Sequence, residues 1–461
     1  MENRRFAILP FNSTIIKDRY LVSNFLGGWD FLTKEEFKEL NSLKVKENTP
    51  LFKRLYEKGL IVDENNLKNL INEYRNLNGH LFSDTSLHIA VVTTACNLSC
   101  RYCQTRSFKK ENMNYEVATR VLKFIFDVRN PYVTLEFQGG EPLLNWEIVS
   151  FLIEHARKFQ RKEMNLRIAL VSNLTLLTEE KMEFLKKFNV EICTSLDGPK
   201  FLHDKNRIFK NGKGSYDIVT KKIEKIRKKF KMKVHLLPTI TKHSLKYYKE
   251  IIDEYAKWGQ EEISLRPVNR LGLACRNWLN LGYTAEEFGE FYKKSLDYIL
   301  ELNKKGIYIR ERIARVILEK VFNKMDAGYV DLMNPCGAGR NVIAYMPDGS
   351  CFPCDEARMV DEDTFKLGNI LKENYEDIIK KEKLLYLLYT SVVNMWDYNS
   401  AFLPWIGTCP VLNYYTQRNF VPKIWCSFIY KIYNYQFRCI FEKILENEEN
   451  VKIFKSWIRR R

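Results

Sequence analysis

Residues 94–103 read Thr-Ala-Cys-Asn-Leu-Ser-Cys-Arg-Tyr-Cys and place three cysteines, Cys96, Cys100 and Cys103, in one short segment. The segment directly follows residues 87–92, an apolar run that predicts a β-strand. Thiolates at this spacing can converge on a common centre from a single loop. Cysteine thiolates hold iron–sulfur clusters, usually four to a cluster. The spacing therefore predicts a cluster held by three cysteines, with one iron open to a small molecule.

Two other interpretations of this motif remain open. A structural zinc site needs four protein ligands, commonly in paired C-x2-C spacings, and no fourth cysteine lies nearby in the sequence. Three free thiols are the other alternative, but nothing in core packing explains why they would be grouped so tightly.

Composition describes a folded protein that carries a strong positive charge. The 461 residues are 45% hydrophobic and 13% aromatic, enough for two or three domains. The net charge of +17 favours an acidic partner, which nucleic acid, an anionic surface or an acidic peptide would each satisfy. The most basic stretch, residues 221–233, carries Ile223, Ile226 and Phe230 at helical spacing. We interpret it as a solvated helix with one buried stripe rather than a nucleic-acid site.

The cysteines and apolar runs indicate a cytoplasmic protein. Eleven unevenly spread cysteines do not suit a secreted disulfide framework. The apolar run before Pro10 is too short for a signal peptide. The apolar stretch at residues 384–393 is about half the length of a membrane span. We therefore expect reduced thiols and no membrane partner.

Three regions are predicted along the chain. In residues 1–80, two β-rich runs flank Gly27-Gly28 and predict a hairpin. Helices should begin at Thr33, where Glu36 completes a capping box, and at Thr49, which precedes a proline. Strands with short helices at this size suggest a small winged-helix-like module.

The second region, residues 85–310, alternates strands and helices. Strand and helix in turn imply a parallel α/β sheet of right-handed βαβ units, and six of them make a partial (β/α)6 barrel. Reactive groups in parallel barrels lie at the C-terminal ends of the strands. The strand runs are residues 87–92, 133–138, 167–172, 190–195, 233–240 and 263–267.

The third region, residues 330–461, bears cysteines. It opens with loop-like segments around Cys336 and Gly349. Residues 374–389 and 430–445 are predicted to be helices.

Polar and glycine-rich motifs follow two of the predicted strands. Gly139-Gly140-Glu141-Pro142 ends the second strand, where paired glycines allow a close approach to the backbone and Glu141 can accept a hydrogen bond from an ammonium group. Ser172 and Asn173 end the third strand. An ordinary polar turn explains Ser172 and Asn173 equally well.

With these motifs in this order, the chain resembles the radical SAM superfamily. Members of that superfamily carry the same cysteine spacing with an aromatic residue before the third cysteine, and Tyr102 occupies that position here. The resemblance implies that Cys96, Cys100 and Cys103 hold a [4Fe–4S] cluster whose open iron chelates S-adenosylmethionine (SAM). One electron then cleaves SAM to a 5′-deoxyadenosyl radical, which abstracts hydrogen from a substrate. The resemblance also implies that the Gly139–Pro142 motif, with Ser172 and Asn173, contacts SAM.

A later segment is similar to the peptide-modifying branch of that superfamily. Leu196-Asp197-Gly198-Pro199 follows the fourth strand, and His203 and Arg207 come shortly after it. The resemblance implies that Arg207 pairs with the SAM carboxylate, a bidentate contact that arginine suits. We interpret His203 as structural.

The third region resembles a SPASM domain, the extension that holds auxiliary iron–sulfur clusters in such enzymes. The resemblance implies one auxiliary cluster, and Cys351 is an alternative ligand for it. Zinc on the same thiols is another alternative. Ile406 stands where a further cysteine is expected, which makes a second auxiliary cluster doubtful. The implied ligands are Cys336, Cys354, Cys409 and Cys426.

Four further residues have an expected role or environment. Asp355 follows Cys354 and resembles an acidic residue that removes a substrate proton in some relatives, although a turn or capping role explains it as well. Cys193, Cys275 and Cys439 are expected to be buried and inert.

The order of the three regions resembles the His-Xaa-Ser system radical SAM maturases. The expected function is a radical SAM enzyme that modifies a ribosomally made peptide or protein. Residues 1–80 would bind the leader of this substrate, and a flavodoxin or ferredoxin would donate electrons, while nucleic acid is not the expected partner. A small-molecule or RNA substrate, and a non-catalytic iron–sulfur protein, are the alternatives.

Overall fold

The computed structural model describes residues 6–105, 109–326, 328, 330–360, 363–396, 400–419, 421 and 423–459. It contains two compact units. The first comprises Met1–Phe82, Ile313–Gly337 and Leu387–Arg461, and the second comprises Ser83–Arg312 and Ala338–Tyr386. Residues 330–461 therefore contribute to both units.

The strands of both units follow the chain in this order: β1 Ala7–Ile8, β2 Phe11–Ile16, β3 Arg19–Asn24, β4 Trp29–Leu32, β5 Ile61–Val62, β6 Leu87–Thr93, β7 Tyr132–Gly139, β8 Asn165–Val171, β9 Glu191–Ser195, β10 Val234–Leu237, β11 Thr239–Ile240, β12 Glu262–Ile263, β13 Arg266–Pro267, β14 Arg310–Glu311, β15 Val342–Tyr345, β16 Ser350–Phe352 and β17 Gly368–Asn369.

The helices follow in the same manner: α1 Lys34–Asn41, α2 Pro50–Glu57, α3 Leu67–Leu77, α4 Tyr115–Asp127, α5 Trp146–Phe159, α6 Glu179–Lys187, α7 Lys200–Asn206, α8 Tyr216–Lys228, α9 Tyr248–Lys257, α10 Gly272–Arg276, α11 Trp278–Leu281, α12 Ala285–Lys304, α13 Arg312–Asn323, α14 Tyr375–Ile379, α15 Glu382–Trp396, α16 Pro410–Gln417, α17 Phe428–Glu446 and α18 Glu448–Ile458.

The N-terminal part of the first unit is a three-stranded antiparallel sheet, β2-β3-β4, packed with short helices. The predicted hairpin is confirmed, with Gly27 at φ 82° in its turn. The capping box at Thr33 and Glu36 begins α1, and Thr49 caps α2. A core of aliphatic side chains, including Leu32 and Leu55, joins sheet and helices.

The second unit is built on a sheet in the order β10-β9-β8-β7-β6-β15-β16-β17. Strands β6 to β10 are parallel to their neighbours, and helices alternate with them along the chain, so the predicted parallel α/β fold is confirmed. The predicted strand 233–240 is split into β10 and β11 because Pro238 has no N–H to donate to the ladder. The predicted strand 263–267 is likewise split into β12 and β13.

The sheet continues where the sequence indicated loops. Strand β15 pairs in parallel with β6, and β16 and β17 follow in antiparallel order. The turn between β15 and β16 contains Gly349 at φ 80°, a conformation that glycine adopts without strain. Residues 338–386 are therefore joined by backbone hydrogen bonds to the strand that leads into the first three cysteines.

One of the two helices predicted in the third region differs from the structure. The single helix predicted over residues 374–389 is two helices, α14 and α15, separated at Lys380 and Lys381. The helix predicted over 430–445 is α17, and a further helix, α18, follows it. In the basic stretch, α8 buries Ile223 and Ile226 as expected, and Lys225 and Lys229 pair with Glu179.

Candidate active site

Residues 94–105, the cluster loop, leave the end of β6 and are anchored by backbone hydrogen bonds. The N–H of Ser99 donates to the carbonyl of Ile208 at 2.7 Å. The N–H of Arg101 donates to the carbonyl of Asn206 at 2.9 Å. Because both acceptors lie at the end of α7 or just beyond it, the chain after β9 fixes the middle of the cluster loop.

The far end of the cluster loop is fixed by the start of α10. The N–H of Leu273 donates to the carbonyl of Cys103 at 2.9 Å. A Cβ on Gly272 would lie 2.4 Å from the carbonyl oxygen of Gln104, so no side chain fits at that position. Two separate segments therefore hold the loop in one conformation.

The three cysteines of the loop share an electrostatic environment. Cys100 is buried, and Cys96 and Cys103 are half-buried. Burial raises the pKa of the Cys100 thiol to about 12; Arg207 opposes this shift, and the neighbouring thiols contribute to it. Burial likewise raises the pKa of Cys96. Ligation to a positively charged metal centre would reverse this preference and stabilise the thiolates.

Gly139 and Gly140, which end β7, pack against the start of the cluster loop. The N–H of Gly140 donates to the carbonyl of Thr93 at 2.9 Å. A Cβ on Gly140 would lie 2.1 Å from the carbonyl oxygen of Ala95. The glycine pair is therefore required for close contact between two backbone segments, in addition to any contact it makes with a ligand.

The Glu141 carboxylate is satisfied by donors of the protein itself. It is 1% exposed and accepts hydrogen bonds from the Ser172 hydroxyl at 2.7 Å, the Asn173 N–H at 2.8 Å and the Leu143 N–H at 3.1 Å. Burial raises its pKa and the three hydrogen bonds oppose that shift. Glu141 thus joins the ends of β7 and β8, and Pro142 begins the short 3-10 helix Pro142–Asn145.

Asn173 connects the end of β8 to the cluster loop. Its side-chain Nδ2 donates to Asn97 Oδ1 at 2.9 Å and lies 4.0 Å from Cys96 Sγ. The next residue, Leu174, is buried at φ 62°, a left-handed conformation that is unusual for leucine. The Ser172 hydroxyl accepts from the Leu174 N–H at 3.0 Å and helps to hold this turn.

Tyr102, Asp197 and Arg207 form one buried hydrogen-bonded chain. The Tyr102 hydroxyl lies 2.9 Å from both carboxylate oxygens of Asp197 and accepts from Arg207 Nη1 at 2.8 Å. Asp197 also accepts from Asn206 Nδ2 at 3.1 Å and from the Thr239 N–H at 3.2 Å. Burial opposes charge on Arg207, but the anionic groups around it raise its pKa.

One cavity of about 210 Å³ brings most of the predicted residues together. It includes the three cysteines of the cluster loop, both glycines, the two polar residues that end β8, and Arg207. Asp355 also lines it, together with residues that the sequence did not indicate. The predicted members are Cys96, Cys100, Tyr102, Cys103, Gly139, Gly140, Ser172, Asn173, Arg207 and Asp355, and the additional ones include Gln138, Arg266 and Met359.

Asp355 is oriented by a buried arginine. Arg358, whose side chain is 3% exposed, donates to Asp355 Oδ1 at 2.6 Å from Nη2 and at 2.7 Å from Nε. The same Nη2 donates to Gln138 Oε1 at 2.8 Å. Since Gln138 lies near the end of β7, the sheet fixes the direction of the carboxylate through this arginine.

The C-terminal cysteines belong to different units. Cys336, Cys409 and Cys426 lie in the first unit, and Cys351 and Cys354 lie in the second. Cys354 accepts from the Ala357 N–H at 3.4 Å, and Cys409 caps α16 by accepting from the Leu412 N–H at 3.5 Å.

Two of the three cysteines expected to be buried are not. Cys439 is buried, but Cys193 and Cys275 are partly exposed. The side chain of Cys193 is partly exposed because it lies on the less buried face of β9, where every second residue is accessible.

The cluster loop fits an iron–sulfur cluster in its chemistry. Within the described ranges, no three His, Cys, Asp or Glu side chains surround a single metal-ion position. A four-iron cluster binds one thiolate per iron, so its ligands surround a volume instead of a point. Three thiols around one cavity, beside a glycine turn that allows close approach, meet that requirement.

Asp197 and Arg358 were not assigned a role from sequence. Asp197 stood within the quoted Leu196–Pro199 segment, but its part in holding Tyr102 and Arg207 depends on contacts across 95 positions of chain. Arg358 follows Asp355 by three residues, a spacing at which side chains meet in a helical turn, so its pairing had a local signal.

Comparison with known proteins identifies the domain. Residues 90–258 match the family model described as the Radical SAM superfamily. A cysteine-type anaerobic sulfatase-maturating enzyme of Clostridium perfringens is 26% identical over 313 residues, which cover 65% of this chain and 80% of that protein. The radical SAM cyclopropyl synthase TigE of Paramaledivibacter caminithermalis is 25% identical over 360 residues, which cover 73% and 72%.

Solved structures share the fold. The structure of native anSMEcpe with bound AdoMet has a TM-score of 0.67 at 20% identity and covers 81% of this chain and 99% of its own. Streptococcus suis SuiB bound to S-adenosylmethionine has a TM-score of 0.54 at 15% identity, with 90% and 98% covered. Separately, no helix among the described residues is long and apolar enough to cross a membrane.

Proposed function

Since this chain is an enzyme with a radical SAM domain, we propose that it cleaves SAM in the cavity beside the cluster loop and uses the resulting radical to modify a peptide or protein. The observation that carries the proposal is the shared cavity of about 210 Å³, which we call the SAM cavity. It is lined by the three cysteines, by most of the residues expected to contact SAM and by Asp355, but not by Glu141 or Pro142.

The position of each residue in the cavity determines its proposed role. Cys96, Cys100 and Cys103 would hold a [4Fe–4S] cluster with one open iron. When bound there, the cluster supplies the electron that cleaves SAM to a hydrogen-abstracting radical. Arg207 presents its guanidinium to the same cavity and would pair with the SAM carboxylate.

Glu141 acts through its neighbours in this proposal. Its carboxylate is occupied by three protein donors, so it orients Ser172 and Asn173. The backbone carbonyls of the Gly139-Gly140 turn are then the acceptors available to the SAM ammonium group. Tyr102 directs Arg207 toward the cavity.

Asp355 would remove a proton from the substrate after hydrogen abstraction. It lines the cavity, and Arg358 holds the carboxylate in one orientation. A base within reach of the reacting group is what such a step requires. The auxiliary iron–sulfur cluster that the resemblance implies would accept the electron released from the substrate.

A peptide or protein substrate is supported by the relatives. The name of one describes it as maturing sulfatases, and a structure of anSMEcpe with bound AdoMet and the Cp18Cys peptide shares the fold, with a TM-score of 0.68 at 22% identity. In this chain, β2 and β4 are the edge strands of a three-stranded sheet, which suit the addition of a leader-peptide strand. Eleven free thiols suit a reducing compartment, so we propose a cytoplasmic location and a flavodoxin or ferredoxin as the electron donor.

The test uses the full chain reconstituted anaerobically with iron and sulfide. On reduction in the presence of SAM, we expect formation of 5′-deoxyadenosine, and loss of that product in Cys96→Ala. Co-expression with a peptide encoded beside the gene should change the mass of the peptide only with the unaltered enzyme. No 5′-deoxyadenosine from a preparation with a full iron complement would reject the proposal, and an unmodified peptide would reject the substrate assignment.

A further inference from the structure

Exposed cations lie in the cluster loop and on chain segments near it. Lys205 and Lys210 bracket the segment to which the loop is hydrogen-bonded, because Asn206 and Ile208 accept from loop N–H groups. Arg101 lies within the loop itself. We call the following set the basic rim, and all six side chains are exposed: Arg101, Lys110, Lys205, Lys210, Lys242 and Lys246.

Part of this rim opens onto the cysteines. A second cavity, of about 330 Å³, is lined by the three cysteines of the cluster loop and by Lys110 and Lys210. Two lysines of the rim thus line the same cavity as the three cysteines. A molecule docked on the rim would come close to the three cysteines, which line this cavity and the first one alike.

The positive charge of the rim is not neutralised locally. Among the described residues, none of the six rim side chains forms an ion pair. Of the acids adjacent to rim residues in sequence, Asp204 pairs with Lys200 and Glu111 pairs with Lys109. This differs from α8, where lysines pair with Glu179 and Glu224.

The pKa of His243 reflects the positive charge concentrated around it. It is half-buried, and burial lowers its pKa. The positive charges of Lys205, Arg101, Lys242 and Lys246 lower the pKa further. Three separate chain segments, the cluster loop, α7 and the residues after β11, therefore place their cations in one field.

We propose that the basic rim is the docking surface for an acidic protein that carries single electrons at low potential. The reduced carrier would lose one electron there and the cluster would gain it, once for each SAM cleaved. The inference rests on the proposed function. An acidic protein is favoured over nucleic acid or an anionic membrane because Lys110 and Lys210 of the rim share a cavity with the three cysteines, which an electron carrier has to approach.

The test compares charge reversals of equal size on the reconstituted full chain. The rim variant is Lys205→Glu with Lys242→Glu and Lys246→Glu, none of which adjoins a cysteine of the loop. The matched control is Lys221→Glu with Lys293→Glu and Lys294→Glu, exposed lysines on α8 and α12 that make no hydrogen bond to the cluster loop. Reduced flavodoxin serves as the protein donor and dithionite as the chemical donor.

For the rim variant, we expect the dissociation constant of flavodoxin and its half-saturating concentration to rise on the order of tenfold at low salt. Added salt should reduce the difference from the unaltered enzyme. The rate of 5′-deoxyadenosine formation with dithionite should stay within about twofold, because a docking surface is not used by a small reductant. The control variant should match the unaltered enzyme in both assays.

Several outcomes would overturn the assignment. One is an unchanged flavodoxin affinity in the rim variant, and another is no flavodoxin binding by the unaltered enzyme. The assignment would also fail if the control variant lost as much affinity as the rim variant, or if the rim variant lost only binding to duplex DNA or anionic vesicles. Failure of the proposed function is seen separately, as absence of 5′-deoxyadenosine with dithionite. Direct flavodoxin binding still decides the docking surface in that case.

Discussion

The hydroxyl of Tyr102 lies 2.9 Å from both carboxylate oxygens of Asp197, so its single proton is directed away from Arg207. A lone pair of the same oxygen is thereby left to accept the Arg207 N–H at 2.8 Å. Asp197 is completely buried and does not line the SAM cavity. Through Tyr102, Asp197 sets the direction of Arg207, which does line that cavity.

The first prediction concerns this chain of contacts. Tyr102→Phe and Asp197→Asn should each raise the KM for SAM about tenfold, the worth of a hydrogen bond to a charged group. At saturating SAM the rate of 5′-deoxyadenosine formation should recover to within about threefold. Steady-state kinetics at matched iron content measure both values.

Tyr255→Phe is the control for that prediction. The Tyr255 hydroxyl is also buried and donates to the carbonyl of Leu196, one residue from Asp197, at 2.8 Å. Its loss should lower stability by about 1 kcal/mol without changing the KM for SAM. Equal KM values in all three variants would show that Asp197 only stabilises the fold.

The second prediction concerns the glycine turn. In Gly140→Ala, the new methyl would meet the Ala95 carbonyl oxygen at 2.1 Å, and backbone on both sides cannot yield easily. We expect less iron bound per chain and a loss of stability of about 1–3 kcal/mol. Iron and sulfide analysis and thermal unfolding measure these effects. Gly79→Ala, where nothing lies within 4 Å, should be neutral in both, and a normal iron content in Gly140→Ala would contradict the prediction.

The third prediction separates SAM cleavage from substrate chemistry. Asp355→Asn should reduce peptide product by about 10²–10⁴-fold while 5′-deoxyadenosine still forms, because loss of a base affects only the later step. Mass spectrometry and chromatography quantify the two products in one reaction. Asp348→Asn, which removes a charge from the turn before β16, should leave product formation intact. If Asp355→Asn formed as much product as the unaltered enzyme at full iron content, the carboxylate would have only a structural role in its turn.

The fourth prediction is a pH dependence of stability. Burial lowers the pKa of His88 to about 3, against 6.5 in an unfolded chain. Between these values the unfolded state binds more protons, so stability is present above pH 6.5 and is lost as pH falls toward 3. For His88→Gln, which can still accept from the Tyr345 hydroxyl, we expect a shallower loss between pH 6.5 and 4.5, by up to about 1.4 kcal/mol per pH unit.

Thermal unfolding across that range checks the pH prediction. His155→Gln on α5 is the comparison, because His155 bonds the Phe151 carbonyl of its own helix. An acid response in His88→Gln identical to that of the unaltered chain would show that another group governs the slope.

Local patterns predicted the first half of the fold well. Thr33 and Thr49 cap the helices that their sequence motifs indicated. Each of these features depends on residues three or four apart, so a short window contains the whole cause.

Later parts of the chain depend on distant partners. Residues 342–345 are a strand because β6, some 250 positions earlier, offers a parallel edge for pairing. Residues 374–389 have helical periodicity throughout, but the chain turns at Lys380, so the single predicted helix is wrong. Similarly, the three cysteines of the loop were evident from spacing, whereas the Asp197 contact required the folded sheet.

The parallel pairing of β15 with β6 has a consequence for engineering this protein. Ala344 is opposite Ile89 in the same ladder that runs on to the cluster loop, and the next strands carry Cys351 and lead to Asp355. Asp355, the proposed base, thus lies in the connection between two strands of the sheet whose strand β6 leads into the cluster loop. A chimera that exchanges substrate-recognition regions should keep residues 338–386 from the same parent as residues 83–312. A junction inside β15 would disturb its pairing with β6, and with it the position of Asp355 relative to the cluster loop.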